Sequence, residues 1–170
     1  MQVNLDLDTH ASALSPTFLG EGLGDAESTF LTFDLDGQTF AVAVLRVREI
    51  LDTQPLTRLP NSPHDVLGVI DVRGESVPVV DLTSRLGIGS AIHGPDTRMI
   101  VFEFEHRGKG ACPVGVLADR VRDVCRIDPG DIEAAPDIGV GGIDRDLILG
   151  LCRRDGALIV VIDLVQAFSD

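Results

Sequence analysis

Residues 68–86 repeat at residues 150–168 with a constant offset of 82. Gly68 falls on Gly150, Gly74 on Gly156, Asp81 on Asp163 and Leu82 on Leu164, while Val77, Val79 and Val80 fall on Ile159, Val161 and Ile162. Further upstream, Val47-Arg48-Glu49-Ile50 falls on Val121-Arg122-Asp123-Val124. A repeat restricts the fold more than any local propensity, because both copies must build the same unit. Each half is only about 60–70 residues, near the lower limit for a self-supporting core, so the two copies are expected to share an apolar seam.

The unit is made of short strands. Alternating residues 30–35 and 39–44 flank Asp36-Gly37, a two-residue turn that signals a hairpin. Residues 45–51 read as a short helical or irregular turn, 55–59 as a brief strand, and 66–72 and 76–80 as strands. Asp81 opens a helical turn by taking up free N–H groups, and Gly87 closes it. In the second half, 99–104, 112–117, 120–127, 147–153 and 157–162 read as strands, and 163–168 as a closing helical turn. So many short strands point to barrels or sandwiches. The repeat favours an all-β pair of small barrels packed side by side, with short helical turns. The expected lobes run roughly over 28–95 and 96–170 and are intertwined. Residues 1–27 carry no Lys or Arg and read as a flexible acidic tail. Within them Val3, Leu5 and Leu7 alternate as in a short added strand.

Charge and composition narrow the function. There are 27 acidic against 14 basic residues, a formal net charge of -13. Phosphate backbones and anionic membrane surfaces need clustered cations, so neither nucleic acid nor direct membrane insertion is expected. Trp and Tyr are absent, which weighs against stacking on bases or sugars. Cys112, Cys125 and Cys152 are odd in number and scattered, with no CxxC, as expected of reduced cytosolic thiols rather than a disulfide framework or a zinc site. No secretory signal and no apolar run of spanning length is visible, so the expected location is cytoplasmic.

No catalytic, metal or cofactor site stands out. Asp81 and Asp163 could be imagined as paired hydrolytic carboxylates, but the repeat makes them equivalent helix starts. His10, His64, His93 and His106 have no ligand-like spacing, and the glycine-rich stretches at 20–24 and 139–142 carry no Walker lysine. Arg73 is more suggestive. It follows an apolar strand and precedes a turn glycine, so its guanidinium must find a partner or water, and Glu49 is the candidate. Leu31, Val44, Val47, Ile50, Val116 and Leu117 are more apolar residues at the lobe ends than two small barrels need, so some are expected to form an exposed groove.

Three blocks carry a resemblance to a known family: 40–50 (FAVAVLRVREI), 57–63 (TRLPNSP) and 68–82 (GVIDVRGESVPVVDL), with 114–121 and 127–132 in the same order. The sequence resembles the CheW-like chemotaxis coupling proteins over nearly all of its folded part, from about Thr29 to Phe168. The resemblance implies two SH3-like five-stranded β-barrels and no catalysis. It implies two partners: the regulatory domain of a CheA-type histidine kinase, and the cytoplasmic tip of methyl-accepting chemoreceptors in receptor arrays. By position, the receptor groove of the family falls on Leu31, Val44, Val47, Ile50, Val116 and Leu117, and its charged pair on Glu49 and Arg73. Asp71-Val72 stands where the family commonly has Asn-Leu, and this acid beside Arg73 is a potential competitor of Glu49. A pathway controlling attachment, pili or a second messenger rather than flagella would use the same module.

Overall fold

The computed structural model describes residues 28–89, 93–106 and 108–168; the acidic segment 1–27 lies outside them. Among the described residues ten strands form two five-stranded sheets. In chain order these are β1 (Thr29–Leu35), β2 (Gln38–Ala43), β3 (Val47–Asp52), β4 (Val66–Val72), β5 (Glu75–Val80), β6 (Arg98–His106), β7 (Gly110–Ala118), β8 (Arg120–Arg126), β9 (Ile148–Arg154) and β10 (Ala157–Ile162). Two short helices follow the hairpins, α1 (Leu82–Leu86) and α2 (Leu164–Ala167). The first lobe has the order β8-β1-β2-β10-β9 and the second β3-β6-β7-β5-β4.

Exchanging β1, β2, β8, β9 and β10 for β6, β7, β3, β4 and β5 turns one order into the other. The equivalence extends to detail. Each lobe has one parallel pair, β2 with β10 and β5 with β7. Each has a register shift at the same place, between Leu31 and Phe33 in the first and between Val47 and Glu49 in the second. The offset of 82 therefore reports a true structural repeat, and the expected pair of five-stranded barrels corresponds to these two sheets. Each lobe takes strands from both sides of residue 95: β1 and β2 join β8–β10, while β6 and β7 join β3–β5.

Three two-residue hairpin loops carry positive φ at both positions, as the right-handed twist of the flanking strands requires. They are Asp36-Gly37 (50° and 79°), Arg73-Gly74 (54° and 84°) and Asp155-Gly156 (50° and 80°). Asp81 caps α1 by accepting from the Ser84 N–H at 3.3 Å, and Asp163 caps α2 by accepting from the Gln166 N–H at 3.1 Å. Gly87, in the left-handed conformation, ends α1 as expected.

Two sequence expectations need correction. Residues 45–51 are a 3-10 turn (Val44–Arg46) only at their start; β3 begins at Val47. Val47, Ile50 and Leu51 gain more by pairing with β6 than a lone helical turn could offer. Residues 55–59 are not a strand. Only Thr57 bridges, to Val69, and Glu133 repeats that bridge to Leu151 in the other lobe.

The core has three parts. The largest lies between the lobes and takes Leu31, Phe33, Leu35, Phe40 and Val42 from one sheet and Ile50, Ile100, Phe102 and Val116 from the other. The opposite faces hold smaller clusters, Ile70, Val72, Val77, Val79, Met99, Val101 and Leu117 in the second lobe, and Phe30, Ala41, Ile127, Cys152, Ile159 and Val161 in the first. Neighbours along a strand point to opposite faces, so Val116 enters the seam and Leu117 does not.

Candidate functional site

Arg73 occupies the first position of the β4–β5 hairpin at φ 54°. Asp36 and Asp155 fill that place in the other hairpins. Asp adopts the left-handed region readily, whereas a long side chain there costs roughly 1 kcal/mol. The strain is offset by an ion pair. The guanidinium donates to Glu49 through both terminal nitrogens, Nη1 to Oε2 at 3.2 Å and Nη2 to Oε1 at 2.9 Å. Arg73 is 75% exposed, while the Glu49 side chain on β3 is 3% exposed. A fork-to-fork contact of this kind fixes geometry as well as charge. Because Glu49 is out of water, removing Arg73 would leave a buried carboxylate unpaired, unlike the loss of an ordinary surface pair.

Asp71 does not compete for Arg73. Its Oδ1 accepts from the Gly74 N–H at 2.8 Å and so holds the turn that presents the arginine. Beside this pair, Arg48 reaches Glu75 at 2.9 Å and Glu103 at 3.9 Å. Leu45, 47% exposed, precedes β3 on the same crossover between sheets.

The six apolar residues do not line an open groove. Leu31, Val44 and Val116 are at most 1% exposed, Val47 4%, Ile50 8% and Leu117 2%. The first five belong to the seam and Leu117 to the opposite face of its sheet. The surplus of aliphatics at the lobe ends is consumed by packing one lobe on the other.

Asp81 and Asp163 each serve their own helix start, and Asp81 also accepts from the Thr83 hydroxyl. His64 and His93 are exposed; His10 and the side chain of His106 lie outside what is described. Among the described residues no group of three or more His, Cys, Asp or Glu is placed to hold a metal ion. All three cysteines are free. Burial pushes the Cys125 and Cys152 thiols above their ordinary range, which disfavours the nucleophilic thiolate.

Two features went unnoticed in the sequence. Arg85 on α1 pairs with Asp65, donates to the Ala167 carbonyl of α2 at 3.1 Å and lies 5.6 Å from the centre of the Phe168 ring. Phe168 meets Phe104 edge-on at 5.3 Å, and Arg46 lies 5.9 Å from the Phe104 ring. This chain of contacts ties the two helices and the crossover turn together. The signal was an unmatched repeat position, since Ala167 is the counterpart of Arg85. The second feature is a set of exposed aliphatics, Ile138 (95%), Leu149 (61%) and Val165 (48%). They flank one 3-10 turn, Arg145–Leu147: Asp137 pairs with Arg145 at 3.5 Å, β9 follows the turn directly, and the Asp163 N–H at the start of α2 donates to the Leu147 carbonyl.

The match to known proteins decides the family, because the CheW-like domain covers residues 29–170, all of both lobes. The chain belongs to the CheW-like family. Its relatives include a probable chemotaxis protein CheW of Rhizobium etli, 32% identical over 88% of this chain and 93% of that protein. The chemotaxis protein CheW of Rhizobium meliloti is 33% identical over 81% of this chain and 85% of its own length. Protein FrzA of Myxococcus xanthus is 35% identical, covering 76% of this chain and 77% of the relative. Among solved structures, the scaffolding protein TtCheW of Thermoanaerobacter tengcongensis superposes with a TM-score of 0.73 at 28% identity, over 85% of this chain and 89% of that one. The family is one of chemotaxis coupling and scaffold proteins, and the double five-stranded architecture is theirs. No helix among the described residues is long and apolar enough to cross a membrane.

Proposed function

We propose that this CheW-like chain is a non-enzymatic adaptor in the cytoplasm that joins a CheA-type histidine kinase to the cytoplasmic tips of methyl-accepting chemoreceptors. One observation carries the reading. Arg73 is held in a conformation unfavourable to it, exposed, and locked by a buried carboxylate, which is how a fold presents a charge for a partner to read.

The receptor face, on this reading, is the surface around Arg73, Arg48 and Leu45. A helical receptor tip presents an apolar stripe with charged flanks, and the Glu49–Arg73 pair sets its orientation more than its affinity. Leu31, Val44, Val47, Ile50 and Val116 form the packed floor beneath that face and touch a receptor only where the seam opens. The kinase contact is assigned to the other apolar surface, Ile138, Leu149 and Val165, since modest interfaces depend on a few apolar anchors within a polar rim. Two separate faces allow both partners to bind at once.

The test is binding of the kinase regulatory domain and of a receptor-tip fragment from the same host, by calorimetry. Arg73→Glu should weaken the receptor contact and spare the kinase. Ile138→Asp with Leu149→Asp should do the reverse. Capture of neither partner by the unaltered chain, or loss of both partners on either change with melting unaltered, would dismiss the assignment.

A further inference from the structure

The repeat supplies an internal comparison at the receptor face. Carrying the second lobe onto the first places Arg48 on Arg122 and Glu103 on Asp34, and that ion pair is kept: Arg122 Nε lies 2.8 Å from Asp34 Oδ1. Val47 falls on Val121 and Ile50 on Val124, and the Arg73-Gly74 loop falls on Asp155-Gly156 with φ values within a few degrees. The charged pair is not kept. Asp123 stands for Glu49, Asp155 for Arg73, and Thr32 for Val101. Asp123 is tied down by Thr32, whose hydroxyl donates to its Oδ1 at 2.6 Å. Ala157 replaces Glu75, the closer partner of Arg48.

We infer that Asp155, backed by Asp123, is a specificity-determining residue that bars the receptor tip from the first lobe and limits the chain to one receptor site. The inference rests on the receptor reading above. Two lobes of one fold would otherwise offer two related faces, and an adaptor with two receptor sites could be occupied without a kinase. Discrimination between near-identical surfaces is set by a repulsive element as much as by attraction. Here the backbone, the aliphatic pair and the neighbouring arginine–carboxylate pair match across the lobes, and the sign of the charge at the loop tip is what changes. Asp155 also suits its left-handed position better than arginine does, so the exclusion adds no backbone strain.

The experiment uses the full chain, with the receptor-tip fragment as probe and calorimetric stoichiometry as readout. The unaltered chain should bind one fragment. Arg73→Asp should weaken that binding by at least about thirtyfold. On that background, Thr32→Val, Asp123→Glu and Asp155→Arg together give the first lobe the residues of the second, and binding should return to within about tenfold of the original. The tip arginine is compatible with the loop, since Arg73 occupies the same conformation. Should the triple change melt early, Asp155→Asn on the unaltered chain is the milder form and should reveal a second, weaker binding event. No recovered binding in a folded triple variant overturns the inference, as does the lack of a second event with Asp155→Asn, or two fragments bound by the unaltered chain. If Arg73→Asp has no effect on binding, the receptor reading itself falls, and this inference with it.

Discussion

Replacing Val47 separates a seam residue from a groove residue. Val47 is 4% exposed and lies in the central cluster between the lobes. Truncation to alanine removes two methyl groups, worth about 1.6 kcal/mol of transfer at ~0.8 kcal/mol each, and the space left at a packed seam raises the cost to about 2–3 kcal/mol. An aspartate at the same place loses that packing and adds a buried carboxylate. Arg46 and Arg48 lie on either side of it in the chain, but Arg48 is already engaged by Glu75 and Glu103. The added penalty is several kcal/mol, against a total stability of about 5–15 kcal/mol. At roughly 3 °C per kcal/mol for a domain of this size, Val47→Ala should melt about 6–9 °C early and Val47→Asp at least about 15 °C early, or fail to fold. The assay is thermal unfolding by circular dichroism, with urea titration to show that the m-value is unchanged in the alanine variant. A Val47→Asp chain that melts normally yet no longer binds the receptor fragment would refute this reasoning. It would mean that the seam opens in solution and that Val47 faces the partner.

Arg73→Gly relieves a strained loop position but strands the buried Glu49, so a net loss of about 2–3 kcal/mol is expected by urea unfolding; adding Glu49→Gln should restore most of it, and no recovery would contradict the pairing argument. Asp163→Ala should cost about 1 kcal/mol as a lost helix cap, whereas Asp81→Ala should cost about twice that, because it also abandons the buried Thr83 hydroxyl; equal losses would show the two caps to be interchangeable. A Cβ on Gly150 would sit 2.3 Å from Ile132 Cγ2 and 2.8 Å from the Glu133 carbonyl oxygen. Gly150→Ala should therefore break the Glu133–Leu151 bridge and expose those two amides to rapid hydrogen exchange, while the Thr57–Val69 bridge of the other lobe stays protected.

Strand content, the hairpin loops and both helix caps were legible in the sequence, because each rests on short-range chemistry: alternation, Asp-Gly pairs, an aspartate before an apolar turn. The repeat made the lobes legible too, and it placed Glu49 opposite Arg73 before any coordinates. What was not legible was the direction of burial at the lobe ends. Val116 and Leu117 look alike in a sequence and point to opposite faces of one strand, and Val44, Val47 and Ile50 are as apolar as groove residues would be. Whether such a residue meets a partner or the other lobe depends on how two sheets dock, a long-range fact with no local signature. Ile138 was missed for the converse reason: an isoleucine in a loop between Pro136 and Gly139 carries no periodicity to mark its face.

The interleaving of the strands bears on how the molecule comes apart. Neither half of the chain contains a whole sheet: β3 leaves its own half to pair with β6, and β8 leaves its half to pair with β1. A lobe cannot unravel while its neighbour stays intact, since each holds strands that continue into the other through the Val44–Arg46 turn and the junction between β7 and β8. The two lobes therefore lose order in one cooperative step, as a two-state unit and not as a pair of beads. The arrangement is also that of two identical half-length chains that had traded strands. Joining such a pair end to end would yield this topology with no new contact, after which each copy was free to change its loop-tip charge independently.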